Sequence, residues 1–195
     1  MVGDPRPRTW VLLVGLTIAF LGAADPARGS ESTSGPLSEY RVKAAYLYYF
    51  STFVDWPPEA LAHPRDALVI GVLGVDPFGA ILDDTLRGKT INGHPLVVRR
   101  FQSIGEARDS HVLYISASER DRLATILKGL EGAAILTVGD IDQFASRGGQ
   151  IAFRMEEKKV RFDINVEAVE RARLKISAQL MKLGRIVGAA GRQGG

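Results

Sequence analysis

Between residues 38 and 58 (SEYRVKAAYLYYFSTFVDWPP) the apolar positions recur at three- and four-residue steps. Val42, Ala45, Tyr46, Tyr49, Phe50 and Phe53 fall on one stripe, the spacing of a helix that buries one face. Ser38 can cap its start by accepting an orphan backbone N–H, and Glu39 puts negative charge in the first turn, where the helix dipole favours it. Pro57 and Pro58 stop it, because the residue before a proline is pushed out of the helical region. So aromatic a stripe cannot face water, and the rest of the chain must supply the surface it covers.

Residues 67–74 (ALVIGVLG) form a nearly continuous apolar run rich in β-branched residues, the pattern of a strand buried on both faces. Asp76 and Pro77 then start a helix whose inner face is Phe78, Ile81, Leu82 and Leu86, closed by Gly88. Asn92-Gly93 makes a tight turn into a second strand at Leu96 to Val98. A short helical piece from Ser103 to Arg108 leads to a third strand, Val112 to Ile115. Ser118 and Asp121 resemble a capping box for a helix carrying Leu123, Ile126, Leu127 and Leu130. A fourth strand, Ala133 to Val138, follows; then Asp140 caps a brief helix through Phe144 and Ala145, ended by Gly148-Gly149.

From Ile151 the rhythm changes. Ile151 and Phe153, then Val160, Phe162 and Ile164, alternate with polar residues around a charged turn at Glu156 to Lys159, which predicts a β-hairpin. Two helical pieces close the domain, one with Val166, Val169 and Ala172, the other capped by Ser177 with Leu180, Met181, Leu183, Ile186 and Val187. Four strand–helix alternations predict a single α/β domain built as a sandwich. Its mixed sheet is mostly parallel, with a C-terminal antiparallel hairpin, and is flanked by helices with the aromatic helix on one face. No internal repeat occurs, which argues against a solenoid.

Arg6 and Arg8, the apolar run from Trp10 to Ala24, and the small residues Gly22 and Ala24 before Asp25 read as a cleaved signal peptide over 1–24. The run is shorter than the ~20 residues of a spanning helix. Residues 25–37 read as a disordered lead-in, 38–188 as the folded domain and 189–195 as a flexible tail. The expected location is outside the cytoplasmic membrane, in the periplasm.

A hydrophobic content of 46% and a charged content of 24% are those of a globular chain. The formal net charge of +3, with no basic stripe interleaved with aromatics, gives no footing for nucleic-acid binding. The absence of cysteine excludes disulfides, thiolate catalysis and Cys-based zinc sites. No G-x-S-x-G nucleophile turn and no H-E-x-x-H occurs. His63, His94 and His111 each sit beside a proline or at a strand edge. Asp140 and Asp142 come closest to a carboxylate pair, although capping and first-turn charge account for them. Gly71, Gly74 and Gly79 do not have the G-x-G-x-x-G spacing of a dinucleotide cradle. No catalytic, cofactor-binding or metal-binding residue is therefore expected. Trp56 is either a recognition aromatic at a groove mouth or a rim residue closing the core. Arg154 and Arg161, on facing hairpin strands, are either a partner-binding patch or charges that blunt a sheet edge.

Several stretches, in order, resemble the YfiR-like family: KAAYLYYFSTFVDWP, VIGVLGVDPFGAIL, AILTVGDIDQFASRGGQIAF and VRFDINVEAVERARLKISAQLMKLGRIV. The most particular pieces are Lys43-Ala44-Ala45, Trp56-Pro57, Leu136-Thr137-Val138, Phe144 with Gly148-Gly149, Phe162 with Asn165, and Ile176-Ser177 with Leu180. The resemblance implies an α/β sandwich and a regulator that is not an enzyme. It implies a periplasmic repressor of an inner-membrane diguanylate cyclase of YfiN type, itself sequestered by an outer-membrane lipoprotein of YfiB type and able to form a homodimer. Its release raises cyclic-di-GMP and favours biofilm. Family members often carry a cysteine before the third strand, where this chain has Ser110, so redox control is not implied here. The competing expectation is a periplasmic small-molecule sensor, with a pocket at the carboxyl ends of the parallel strands near Gly74 to Phe78 and Gly139 to Asp142.

Overall fold

Every residue from Leu68 to Leu73 is buried, and the sheet is assembled outward from that strand, as its unbroken apolar run requires. The computed structural model of the protein describes residues 35–188 apart from 62, 64 and 65. The expected leader, most of the lead-in and the tail lie outside the described residues. Among the described residues no helix is long and apolar enough to cross a membrane.

In chain order the first elements are α1 (Pro36–Thr52), β1 (Val54–Asp55), a 3₁₀ turn (Pro58–Leu61), β2 (Leu68–Leu73), α2 (Ala80–Leu86), β3 (Thr90–Ile91), β4 (His94–Phe101) and α3 (Ile104–Ala107). Then come β5 (Val112–Ile115), a second 3₁₀ segment (Ala117–Arg122), α4 (Leu123–Gly129), β6 (Leu136–Gly139), β7 (Ile151–Glu156) and β8 (Lys159–Asn165). The last are α5 (Val166–Arg171), β9 (Lys175–Ile176), α6 (Ala178–Leu183) and β10 (Arg185–Val187).

Eight strands form one sheet in the order β10-β8-β7-β6-β5-β2-β4-β3, and β1 pairs with β9 apart from it. From β4 to β7 every neighbour is parallel; β8 runs antiparallel to β7, and β10 parallel to β8. This is the mostly parallel mixed α/β sheet with a C-terminal hairpin that the strand–helix rhythm predicts. Alternating side chains divide the core in two. Leu68, Ile70, Val72, Tyr114, Val138, Phe153 and Phe162 pack with Phe50 of α1, Leu82 of α2, Val169 of α5 and Leu180 of α6. Val69, Leu73, Leu113 and Ile115 pack with Ala107 of α3 and Leu123 of α4.

Several boundaries differ from the expectation. Helix α1 starts at Pro36, two residues before the expected cap at Ser38, because proline fits a first helical position. It ends at Thr52, before the prolines, because Val54 and Asp55 pair with Ile176 and Lys175. Residues 185–187 are a strand on β8, and α6 stops at Leu183. Ser118 does not cap α4; its hydroxyl accepts the Val75 N–H at 3.0 Å. The caps expected at Ser177 and the short helix at Ser103 are as the residues suggest, with a full capping box between Ser103 and Glu106.

The largest shift is the rotation of α1. Its buried residues are Lys43, Ala44, Leu47, Phe50 and Ser51, a stripe displaced from the expected one except at Phe50. Val42 and Tyr49 are 42% and 52% exposed, and Ala45, Tyr46 and Phe53 are half-buried.

Candidate functional site

Helix α1 is apolar nearly all round, so hydrophobicity alone leaves its rotation open. A buried ion pair decides it. Lys43 is 3% exposed, and its Nζ lies 2.6 Å from Asp140 Oδ2 and 2.6 Å from Glu39 Oε1, one helical turn earlier. Asp140 follows β6 directly, at the carboxyl end of the parallel strands. The Tyr40 hydroxyl donates to the same Asp140 oxygen at 3.3 Å, and the ammonium sits 4.6 Å from the Tyr40 ring centre. Asp140 is therefore not the helix cap expected of it; residues 142–148 form turns, and its carboxylate turns back to α1.

Burial pushes the Lys43 pKa down, but the hydrogen bonds from Asp140 and Glu39 outweigh it and the net shift is upward. Burial also raises the Tyr40 phenol, with the Asp140 charge adding to it. Tyr114, fully buried on β5, is driven far upward by burial first and by the Asp140 charge second. At neutral pH Lys43 and both phenols thus keep their protons, and the centre works as a charge lock that holds α1 to the sheet.

Two atoms at the lock lack partners: the Tyr114 hydroxyl and Asp140 Oδ1 are buried without a hydrogen bond. A buried hydroxyl left unpaired loses about 1–3 kcal/mol of solvation. Tyr114→Phe keeps the edge-on contact with Phe78, whose ring centre is 4.8 Å away. The variant should therefore be more stable than wild type by about 1 kcal/mol in urea unfolding at pH 7. A loss of 1 kcal/mol instead would show that the hydroxyl is bonded.

Beside the lock lies a cleft of about 640 Å³, lined by Glu39, Lys43 and Asp140 on one wall and by Arg154, Asp163 and Arg185 on the other. Of the expected Gly139–Asp142 stretch, Asp140, Ile141 and Asp142 line it and Gly139 does not. The Gly74–Phe78 part does not line it; Asp76 there accepts the Phe78 N–H at 2.7 Å and pairs with Arg100 at 3.0 Å. Gly71 and Gly74 serve packing: a Cβ at Gly71 would lie 2.7 Å from the Phe101 ring.

The three residues singled out as partner-binding lie at two ends of the sheet. Trp56 is half-buried near the amino end of β5, edge-on to His111 with ring centres 6.3 Å apart, and its Nε1 is buried without a partner. His111 accepts the Val69 N–H on Nδ1 at 3.1 Å and so donates from Nε2 to the Ala60 carbonyl at 2.8 Å; burial lowers its pKa. Arg154 and Arg161 face each other across the hairpin. Arg154 is held by Asp163 and Glu156, both at 2.8 Å, whereas Arg161 is half exposed and only approaches Glu156, at 3.9 Å. Among the described residues no cluster of three or more metal-ligating side chains occurs.

Sequence reasoning missed Lys43, Tyr114 and Asp140 as a unit. Lys43 and Asp140 are 97 residues apart, and the only local signal is a lysine set between apolar neighbours. The rotation that buries Lys43 also turns Val42 and Tyr49 outward, so an apolar strip faces solvent, flanked by the half-buried Tyr46, which rests on Phe153 and Phe162 of the hairpin.

A family model described as YfiR/HmsC-like matches residues 40–185. No curated protein matches the chain.

Proposed function

The chain belongs to the YfiR/HmsC-like family, a regulatory, non-catalytic family of the periplasm tied to cyclic-di-GMP signalling, and from that premise we propose that it represses a membrane-bound diguanylate cyclase of YfiN type by binding that enzyme's periplasmic domain. Cyclic-di-GMP output and biofilm growth follow from that contact. An outer-membrane lipoprotein of YfiB type is the natural competitor that releases the cyclase, and self-association through the same surface would oppose binding in the same way. Export of the chain through the leader at 1–24 is part of this reading.

The observation that carries it is the outer face of α1. A fold that buries a lysine while leaving Val42 and Tyr49 in water retains an apolar surface that packing alone would have covered. Such a strip, with charged residues such as Arg41 alongside, has the makeup of an interface core and its rim. Of the three residues expected to touch a partner, Arg161 holds the freest charge and would lie at the periphery. Repression then works by population shift: the bound form of the receptor must be its inactive one, and the bias equals the affinity difference between its two states.

Binding of purified protein to the periplasmic domain of the cyclase tests this. Wild type should bind saturably, and Val42→Asp should bind at least about tenfold more weakly, since a buried unpaired charge costs more than 1.4 kcal/mol. Its folding stability should move by no more than about 0.5 kcal/mol, as for an exposed site. No binding by wild type would overturn the repressor reading; full binding by Val42→Asp would overturn this surface.

A further inference from the structure

We propose that a second cleft, of about 400 Å³ and formed between α4, β6, α5 and the segment leading into β7, is a binding site for a small organic anion with an apolar body. The site is independent of the receptor contact on α1. Its walls are apolar, with Leu130 and Ile135 on one side and Ala168 and Ala172 on the other. Its floor is polar and buried: Thr137 and Gln150 are 4% and 5% exposed.

These two side chains are locked to each other's backbone. Gln150 Oε1 accepts the Thr137 N–H at 3.0 Å, and Thr137 Oγ1 accepts the Gln150 N–H at 3.2 Å. Each acceptor atom thereby has one of its two lone pairs engaged by backbone. The donors are less engaged: the Thr137 hydroxyl proton, and the Gln150 amide, whose contact is a long 3.4 Å approach to the Ala168 carbonyl.

At the mouth stand Arg147 and Arg171, both exposed. Arg147 donates to the Arg120 carbonyl at 3.2 Å, and Arg171 reaches Glu167 only at 4.0 Å. Glu131 is the one acidic residue lining the cleft. Donors below and two guanidinium groups above select a carboxylate or phosphate head, because arginine forks match those oxygens in pairs. The apolar walls and a volume inside the ~300–1,000 Å³ range of small-molecule sites call for a body of about the size of an aromatic ring.

Titration of the ¹⁵N-labelled protein with benzoate, phenyl phosphate, inorganic phosphate and benzyl alcohol decides the matter. Benzoate or phenyl phosphate should shift the Gln150 side-chain amide and the Gly148 backbone amide saturably, and the head group that does so identifies the anion. Arg147→Ala/Arg171→Ala should weaken that binding about tenfold or more, the effect of losing a charge-assisted hydrogen bond, with the melting temperature unchanged. The lysine pair Arg147→Lys/Arg171→Lys should retain part of it. No saturable shift at these amides with either aromatic anion overturns the site. Equal binding of benzyl alcohol overturns its preference for charge, and equal binding of inorganic phosphate overturns the need for an apolar body.

Discussion

Lys43→Met should lower folding stability by about 3–5 kcal/mol, the cost of removing one member of a buried ion pair. The methionine replaces the aliphatic stem at similar volume, so the loss reports charge rather than packing. It strands the Asp140 carboxylate, whose Oδ1 already lacks a partner, with only the Tyr40 hydroxyl at 3.3 Å. Removing the stranded charge as well, in Lys43→Met/Asp140→Asn, should recover part of the loss, because residues in one network do not act additively. Urea unfolding at pH 7 of the two singles and the double measures this. If Lys43→Met stays within about 1 kcal/mol of wild type, the lock contributes nothing and α1 is held by its aromatic rings alone.

The same centre sets an alkaline limit. The folded pKa of Lys43 lies above its ordinary 10.5, so the pair's contribution is complete below that pH and is lost as pH rises through the folded value. Tyr40 and Tyr114 act in the same direction. Their phenols are raised above 10.0 in the folded chain, so the unfolded chain releases those protons first and stability falls from about pH 10 upward. Wild type should therefore become less stable above pH 10, and Lys43→Met should show a shallower decline than wild type.

Phe50→Ala and Tyr49→Ala should differ by several kcal/mol, although both residues lie on the stripe that periodicity assigns to the core. Phe50 is 0% exposed and its ring touches Tyr46, Phe153 and Phe162, with ring centres 5.7, 5.7 and 5.0 Å away. Truncating it should cost about 3–5 kcal/mol, as for other fully buried phenylalanines. Tyr49 is 52% exposed, and its truncation should move stability by about 0.5 kcal/mol or less. Its effect should fall instead on receptor binding. Thermal unfolding of the two variants compares them directly. Equal losses at the two positions would mean that the helix is rotated back to the stripe its periodicity suggests.

Much of the fold is legible in the residues because it depends on local rules. The buried run at Leu68–Leu73 needs cover on both faces, the hairpin alternates with period two, and Ser103, Ser177 and the Asn92-Gly93 turn announce themselves by short-range hydrogen bonding and backbone preference. What misleads is always a segment with two local solutions. Residues 185–187 suit a helix's last turn as well as a strand, and pairing with β8 chooses the strand. Asp140 suits a cap as well as a carboxylate for Lys43, and the distant lysine wins.

Gly149 shows the same division at one position. Its neighbour Gly148, at φ 104°, has the left-handed backbone expected at a glycine pair. Gly149 itself is needed for a reason no spacing reveals: a Cβ there would overlap the Phe144 ring.

By itself the sequence determined the class of fold, the main strands of its sheet from Leu68 to Asn165, and the segments that carry the family's residue pattern. Only the tertiary structure decided which side of the aromatic helix faces inward, because five aromatic rings around one cylinder nearly cancel as a directional signal. A single ammonium that has to meet a carboxylate 97 residues away breaks that near-degeneracy. The face left in water, and with it the surface open to a partner, follows from where that one charge is neutralised.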